Sequence, residues 1–148
     1  MPGYKFHILG GVATFSGLMM LCCHYGVPIT PFIMLQWLAA TILGALFPDV
    51  DIKSKGQGIF YKGMLFFLLF LFWTKQFHLF VIMSFLALVP LLVRHRGVFH
   101  RPWFVVVLPL SVVFITGIVF PAHGVLFFYN AIFFSAGALS HILLDRAA

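Results

Sequence analysis

The sequence predicts an all-α, polytopic transmembrane helical bundle of about six spans, and three observations carry this prediction. Of the 148 residues, 63% are hydrophobic and 8% are charged, whereas a soluble domain carries about 25% charged residues. The apolar residues fall into six long runs separated by polar, Gly or Pro residues. Barrel strands are shorter than these runs and alternate in polarity. The composition excludes a soluble or disordered chain, and the length fits a single membrane-embedded domain, residues 1–148.

The six runs are the predicted spans. They cover approximately residues 7–25, 30–47, 59–73, 77–93, 103–120 and 124–145. A spanning helix needs roughly 20 apolar residues, and only the third run is clearly short. The third and fourth runs could form one bent helix, but that helix would be too long for one span without a large tilt. We therefore predict two spans, separated at Thr74-Lys75-Gln76.

The placement of Lys and Arg predicts the orientation. With six spans and the N-terminus inside, eight of the nine basic residues fall in inner segments, and only Lys75 lies outside. Cytoplasmic segments carry the excess of basic residues in membrane proteins. Both termini are therefore predicted to face the cytoplasm. Five spans would place the basic loop at 94–101 outside, against this bias.

The few carboxylates lie near the predicted inner face. The chain has no Glu and three Asp, of which Asp49 and Asp51 follow Pro48 and Asp145 ends the last run. His141 lies four residues before Asp145, so both side chains share one helix face and can bind one ion. Ionisable residues at membrane segments are costly, and by default they indicate a functional site.

Three more histidines belong to the same inner face. His7 begins the first run, and His95 and His100 lie on either side of Gly97, which permits the chain to turn. Imidazole and carboxylate ligands suit Zn²⁺, Mn²⁺ or Fe. We predict a site for one or two divalent ions. Zn²⁺ is favoured, and Mn²⁺, Fe or Mg²⁺ are the alternatives. The predicted metal ligands are His7, Asp49, Asp51, His95, His100, His141 and Asp145.

Each of these motifs has an ordinary explanation when it is taken alone. A terminal histidine can be an interfacial residue, and the loop at 94–101 can be basic for topology only. Asp49 and Asp51 can cap a helix or pair with neighbouring lysines. Solvation does not explain why every carboxylate shares one face with four histidines, so the coincidence favours a metal site.

Basic residues surround the predicted metal site. The paired N–H groups of an Arg guanidinium match phosphate oxygens, and Lys supplies a point charge. The same residues could instead bind anionic lipid head groups, or only set the orientation of the protein in the membrane. The predicted substrate-binding residues are Arg96, Arg101, Lys53 and Lys55. Nucleic acid is not expected, because no basic domain lies outside the membrane. The expected partners are the lipid bilayer and a lipid or phosphoester substrate. Small-residue patches leave open whether the chain forms an oligomer.

Taken in order, the motifs resemble the YdjM-like family of bacterial inner-membrane, metal-dependent hydrolases. That family's pattern is an N-terminal His, then Leu-Pro-Asp-Ile-Asp, His-Arg-Gly-x-x-His and Ser-His-x-x-x-Asp. The corresponding elements here are His7, Phe47-Pro48-Asp49-Val50-Asp51, His95-Arg96-Gly97-Val98-Phe99-His100 and Ser140-His141-Ile142-Leu143-Leu144-Asp145. The chain departs from the family at Ile52-Lys53, where His-Pro is common, at Phe99 and Arg101, and in its short segment after the last Asp.

The resemblance implies a hydrolase of the bacterial inner membrane with its metal centre at the cytoplasmic rim. The His/Asp set is also similar to that of zinc-dependent phospholipases C and single-strand nucleases, which favours phosphoester cleavage. We therefore predict hydrolysis of a lipid phosphoester, with Asp49, Asp51 and Arg96 as catalytic candidates and Asp49 as general base. The alternatives are a non-catalytic metal-binding scaffold or regulator and a divalent-metal transporter. The nearly pure apolar span centres disfavour the transporter.

Overall fold

The computed structural model describes residues 3–51, 54–92, 97–119 and 121–147. Within these ranges the chain forms six α-helices and no strand, which confirms the all-α prediction. The helices are α1 (Tyr4–His24), α2 (Pro31–Leu46), α3 (Lys55–Trp73), α4 (Phe77–Leu92), α5 (Pro102–Val119) and α6 (Gly124–Ala147). Two short 3₁₀ helices matter for the site, namely the Asp49 turn (Phe47–Asp51) and the His100 turn (Val98–His100).

Several helices are long and apolar enough to cross a membrane. Four meet this condition over the described residues: α1, α2 with its extension to Val50, α3 and α6. α5 is a shorter apolar helix, and α4 is described over 16 residues, as far as Leu92. A helical, multi-pass architecture is therefore shown. The count of six spans and the cytoplasmic position of both termini stay predictions.

Helices α3 and α4 form a hairpin. α3 ends at Trp73, and Lys75 adopts a left-handed backbone (φ 58°) that lets the chain reverse. The Tyr61 hydroxyl donates a hydrogen bond to the Ala87 carbonyl at 3.0 Å, which joins the two helices near their other ends. The predicted break at residues 74–76 is confirmed. α3 begins at Lys55 rather than at residue 59, because Ser54 Oγ accepts a hydrogen bond from the Gln57 N–H at 3.0 Å and caps the helix.

The core is a close parallel pair formed by α2 and α6. Trp37 stacks on Phe133 with ring centroids 4.7 Å apart. One turn further along both helices, a Cβ added to Gly137 would overlap the Thr41 carbonyl, so only glycine allows this approach. α1 packs antiparallel against both helices. The beginning of α1 therefore meets the ends of α2 and α6 at one end of the bundle.

Candidate metal centre

α6 contributes two side chains of the candidate metal centre from adjacent turns. The His141 side chain is 1% exposed, and its Nδ1 lies 2.7 Å from the Ala45 carbonyl oxygen on α2. Because a carbonyl only accepts, Nδ1 carries the proton, which leaves Nε2 as the nitrogen that can bind a metal ion. This Nε2 has no hydrogen-bond partner among the described residues and lies 3.5 Å from Asp145 Oδ2. The histidine is thus oriented as a metal ligand.

The Asp49 turn continues from the end of α2. Pro48 is fully buried in it. The Ser54 hydroxyl, which also caps α3, donates to the Asp49 carbonyl at 2.9 Å and fixes the turn against the start of that helix. The Asp49 side chain reaches the α6 pair, where its Oδ1 lies 3.5 Å from His141 Nε2.

The His100 turn contributes the next side chain of the cluster. Phe99 is 2% exposed, and its ring contacts the rings of Phe47 and Phe104, each with centroids 5.3 Å apart. This buried residue anchors the turn. His100 Nε2 then lies 3.7 Å from Asp49 Oδ1 and 3.7 Å from Asp145 Oδ2.

His7 completes the cluster from the first turn of α1. Its ring stacks on the His141 ring at 3.7 Å between centroids. His7 Nε2 lies 3.5 Å from Asp145 Oδ1. Asp145 therefore uses its two oxygens differently, since Oδ1 faces His7 while Oδ2 faces His100 and His141.

The spacing of these atoms fits a shared metal ion. One ligand atom from each of Asp49, His100, His141 and Asp145 lies within 4.8 Å of the others. Their contacts of 3.5–3.7 Å exceed the range of about 2.7–3.2 Å for hydrogen bonds. Ligands held at about 2.1 Å around a tetrahedral Zn²⁺ are about 3.4 Å apart. A divalent ion would also balance the two carboxylates, which are only 19% and 12% exposed.

Five of the seven predicted ligands come together here, namely His7, Asp49, His100, His141 and Asp145. The backbone of Asp51 ends the Asp49 turn, but its side chain is not among those described. His95, Arg96 and Lys53 lie outside the described residues.

The other two predicted phosphate-binding residues are exposed. Lys55 Nζ donates to the Tyr4 hydroxyl at 3.3 Å and lies 4.6 Å from the centre of that ring, so it links the start of α3 to the start of α1. Arg101 directly follows His100 and leads into α5. Both therefore lie on elements that begin next to the metal centre.

The sequence did not reveal the Ala45 carbonyl as a partner of His141. A backbone carbonyl has no sequence signature, so only the packing of α2 on α6 shows this contact. The missed start of α3, by contrast, had a signal. Ser54 followed three residues later by Gln57 is the pattern of a capping box.

This fold and this cluster define a helical membrane protein with a candidate divalent-metal centre at one end of its bundle. The family model described as YdjM inner membrane protein matches residues 1–147. The chain therefore belongs to the YdjM inner membrane protein family, and it is a protein of the inner membrane. Comparison with curated proteins and with solved structures gives no match.

Proposed function

We propose that the chain is a metal-dependent hydrolase that cleaves a phosphoester of a membrane lipid at the cytoplasmic face of the inner membrane. The observation that carries the proposal is the group of four ligand atoms within 4.8 Å of one another, contributed by the end of α6 and by two turns. Ionisable groups gathered at the end of apolar helices are costly and are retained for function. At the cytoplasmic face, where the positive-inside bias would place this end of the bundle, the site would be adjacent to lipid phosphates.

The residues that would hold the ion are Asp49, His100, His141 and Asp145. Two nitrogen and two oxygen donors at near-tetrahedral spacing favour Zn²⁺. When bound, such an ion makes water a stronger acid and stabilises negative charge on phosphoryl oxygen. A second ion would use His7 and Asp145 Oδ1, with further ligands from Asp51 or His95.

Asp49 is the best candidate for the general base. Its Oδ1 faces both His100 and His141, which leaves Oδ2 for the attacking water. The water oxygen forms a bond to phosphorus, the ester P–O bond breaks, and Asp49 passes the proton to the leaving alkoxide. Asp145 suits this role less well, because both of its oxygens face histidines. Asp51 and Arg96 remain further catalytic candidates, and Arg101, Lys53 and Lys55 would hold the phosphate.

The test is to purify the protein, measure bound metal, and follow release of phosphate or alcohol from phospholipids and alkyl phosphates in mixed micelles. We expect stoichiometric Zn²⁺ and turnover that a chelator abolishes and Zn²⁺ restores. Bound metal with no cleavage across such a panel would contradict the hydrolase and favour the non-catalytic scaffold. Metal flux into proteoliposomes would favour the transporter instead.

A further inference from the structure

An apolar cavity of about 320 Å³ lies between α2, the α3–α4 hairpin, α5 and α6. Its volume is within the range of about 300–1,000 Å³ that is typical of small-molecule sites. Its wall is made almost entirely of aliphatic and aromatic side chains, including Met64 on α3, Met83 on α4 and Leu108 on α5. Three other lining residues, Leu43, Ile59 and Val112, remain between 44% and 47% exposed. The cavity is therefore accessible from outside the bundle.

The cavity shares a wall with the candidate metal centre. Phe47 and Val50 line it and belong to the same turn as Asp49, and Phe99 lines it immediately before His100. Consecutive Cα atoms are about 3.8 Å apart. In each turn, a candidate metal ligand and a residue of the apolar wall are therefore neighbours in the chain.

Two basic residues adjoin the lining residues at the same end of the cavity in sequence. Gly56 lines the cavity at the start of α3, and the preceding Lys55 is exposed. Phe104 lines it in the first turn of α5, three residues after the exposed Arg101. An apolar cavity with cations on the elements beside it complements a hydrocarbon chain that ends in an anionic group.

We propose that this cavity holds the hydrocarbon chain of a long-chain phosphate lipid whose phosphate lies at the metal centre. The inference rests on the proposed function and names its substrate class, long-chain rather than short, water-soluble phosphoesters. A bilayer is as apolar as the cavity, so the chain gains little affinity by entering it. The gain is orientation, because a chain held beside the Asp49 and His100 turns keeps the phosphate next to the metal ligands.

Two pairs of neighbouring residues provide matched variants. Met64→Trp fills the cavity from α3, whereas Leu65→Trp adds the same ring at a neighbouring position that is 57% exposed. Leu108→Trp and Val107→Trp form the equivalent pair on α5, since Val107 is 51% exposed and does not line this cavity. Metal stoichiometry confirms that each variant retains its site.

The first experiment labels the full-length protein with dodecyl phosphate that carries a diazirine at its terminal carbon, and maps the modified residues by mass spectrometry. We expect labels on cavity residues such as Met64, Met83 and Leu108. The second compares hydrolysis of dodecyl and butyl phosphate. Met64→Trp should lower labelling and dodecyl phosphate turnover about tenfold, as loss of a positioning contact does, and leave butyl phosphate turnover unchanged. Leu65→Trp should match the wild type in both.

The outcomes separate this inference from the proposed function. Equal turnover of both substrates, with no effect of Met64→Trp, would overturn the chain site and leave the hydrolase standing. Cavity labelling that Met64→Trp blocks, without turnover of either substrate, would support the chain site and contradict the hydrolase. Labels confined to exposed helix faces would overturn the chain site. If Met64→Trp does not fold, the same comparison with Leu108→Trp and the map of labelled residues in the wild type decide whether the chain binds in the cavity.

Discussion

At the scale of the residue, His141 joins the fold to the candidate site. Its Nδ1 is held by the Ala45 carbonyl, its ring is covered by His7, and its Nε2 faces Asp49 and Asp145. The packing of three helices therefore sets the orientation of this one side chain, and with it the direction in which Nε2 points. Such outer contacts tune metal affinity by about 10–100-fold in characterised sites.

Replacing His141 should weaken metal binding, whereas replacing a histidine far from the cluster should leave metal binding unchanged. We expect His141→Gln to weaken Zn²⁺ binding by at least about 100-fold. The substitution removes the ligand nitrogen and also the Nδ1 contact with the Ala45 carbonyl that orients it. His24→Gln is the control, because His24 ends α1 about 25 Å along the helix from His7 at 1.5 Å per residue. Competition with a fluorescent chelator measures both affinities. Equal affinities in the two variants would contradict the ligand assignment.

Asp49→Asn should separate metal binding from turnover. The amide keeps an oxygen in place of Oδ1 but cannot accept a proton, so turnover should fall by about 100-fold or more. Metal content should fall less than in Asp145→Asn, because Asp145 faces histidines with both oxygens. Metal analysis and phosphate release on the same preparations check this. Full activity of Asp49→Asn would rule this residue out as the base.

At the scale of the element, the site depends on how closely α2 and α6 approach. The sequence predicted each of the six α-helices that the described residues form, because long apolar runs and their Pro and polar breaks are local signals. It also singled out Asp49, His100, His141 and Asp145, which the structure brings together as a candidate metal group, because residue type and spacing carry that information. It could not predict that α2 and α6 run in parallel contact at Gly137, since which apolar faces meet is a tertiary property.

A methyl group at Gly137 should disturb this contact. Gly137→Ala would press its Cβ against the Thr41 carbonyl, and overpacking of this kind costs about 1–3 kcal/mol. Gly63→Ala on α3 is the control, because its Cβ would meet nothing within 4 Å and alanine favours a helix by about 1 kcal/mol over glycine. Thermal unfolding in detergent should show a lower midpoint for Gly137→Ala only. An unchanged midpoint there would contradict the close approach.

At the scale of the whole molecule, the three Asp residues and the nine Lys and Arg residues distinguish one end of the helical bundle from the other. Asp49 and Asp145 lie together at the end where α1 begins and α6 finishes. The basic residues predict that this end faces the cytoplasm. The apolar cavity next to the candidate metal centre could not be predicted, because its lining residues are scattered over five α-helices and two turns and look like ordinary membrane-facing residues in the sequence.

The orientation can be tested with single cysteines. In a background with Cys22 and Cys23 replaced by Ala, Lys75→Cys should react with an impermeant maleimide on intact spheroplasts. Lys5→Cys should react only after the membrane is permeabilised, since the positive-inside bias places it in the cytoplasm. The reverse pattern, or labelling of both sites from outside, would contradict cytoplasmic termini.

The most direct test of the central claim is the X-ray absorption spectrum of the purified protein loaded with one equivalent of Zn²⁺. The cluster of Asp49, His100, His141 and Asp145 predicts a shell of about four nitrogen and oxygen donors at about 2.0–2.2 Å, with the scattering pattern of imidazole. His141→Gln should reduce that pattern. A shell with sulfur at about 2.3 Å, or zinc that dialysis removes completely, would contradict a metal centre at these residues.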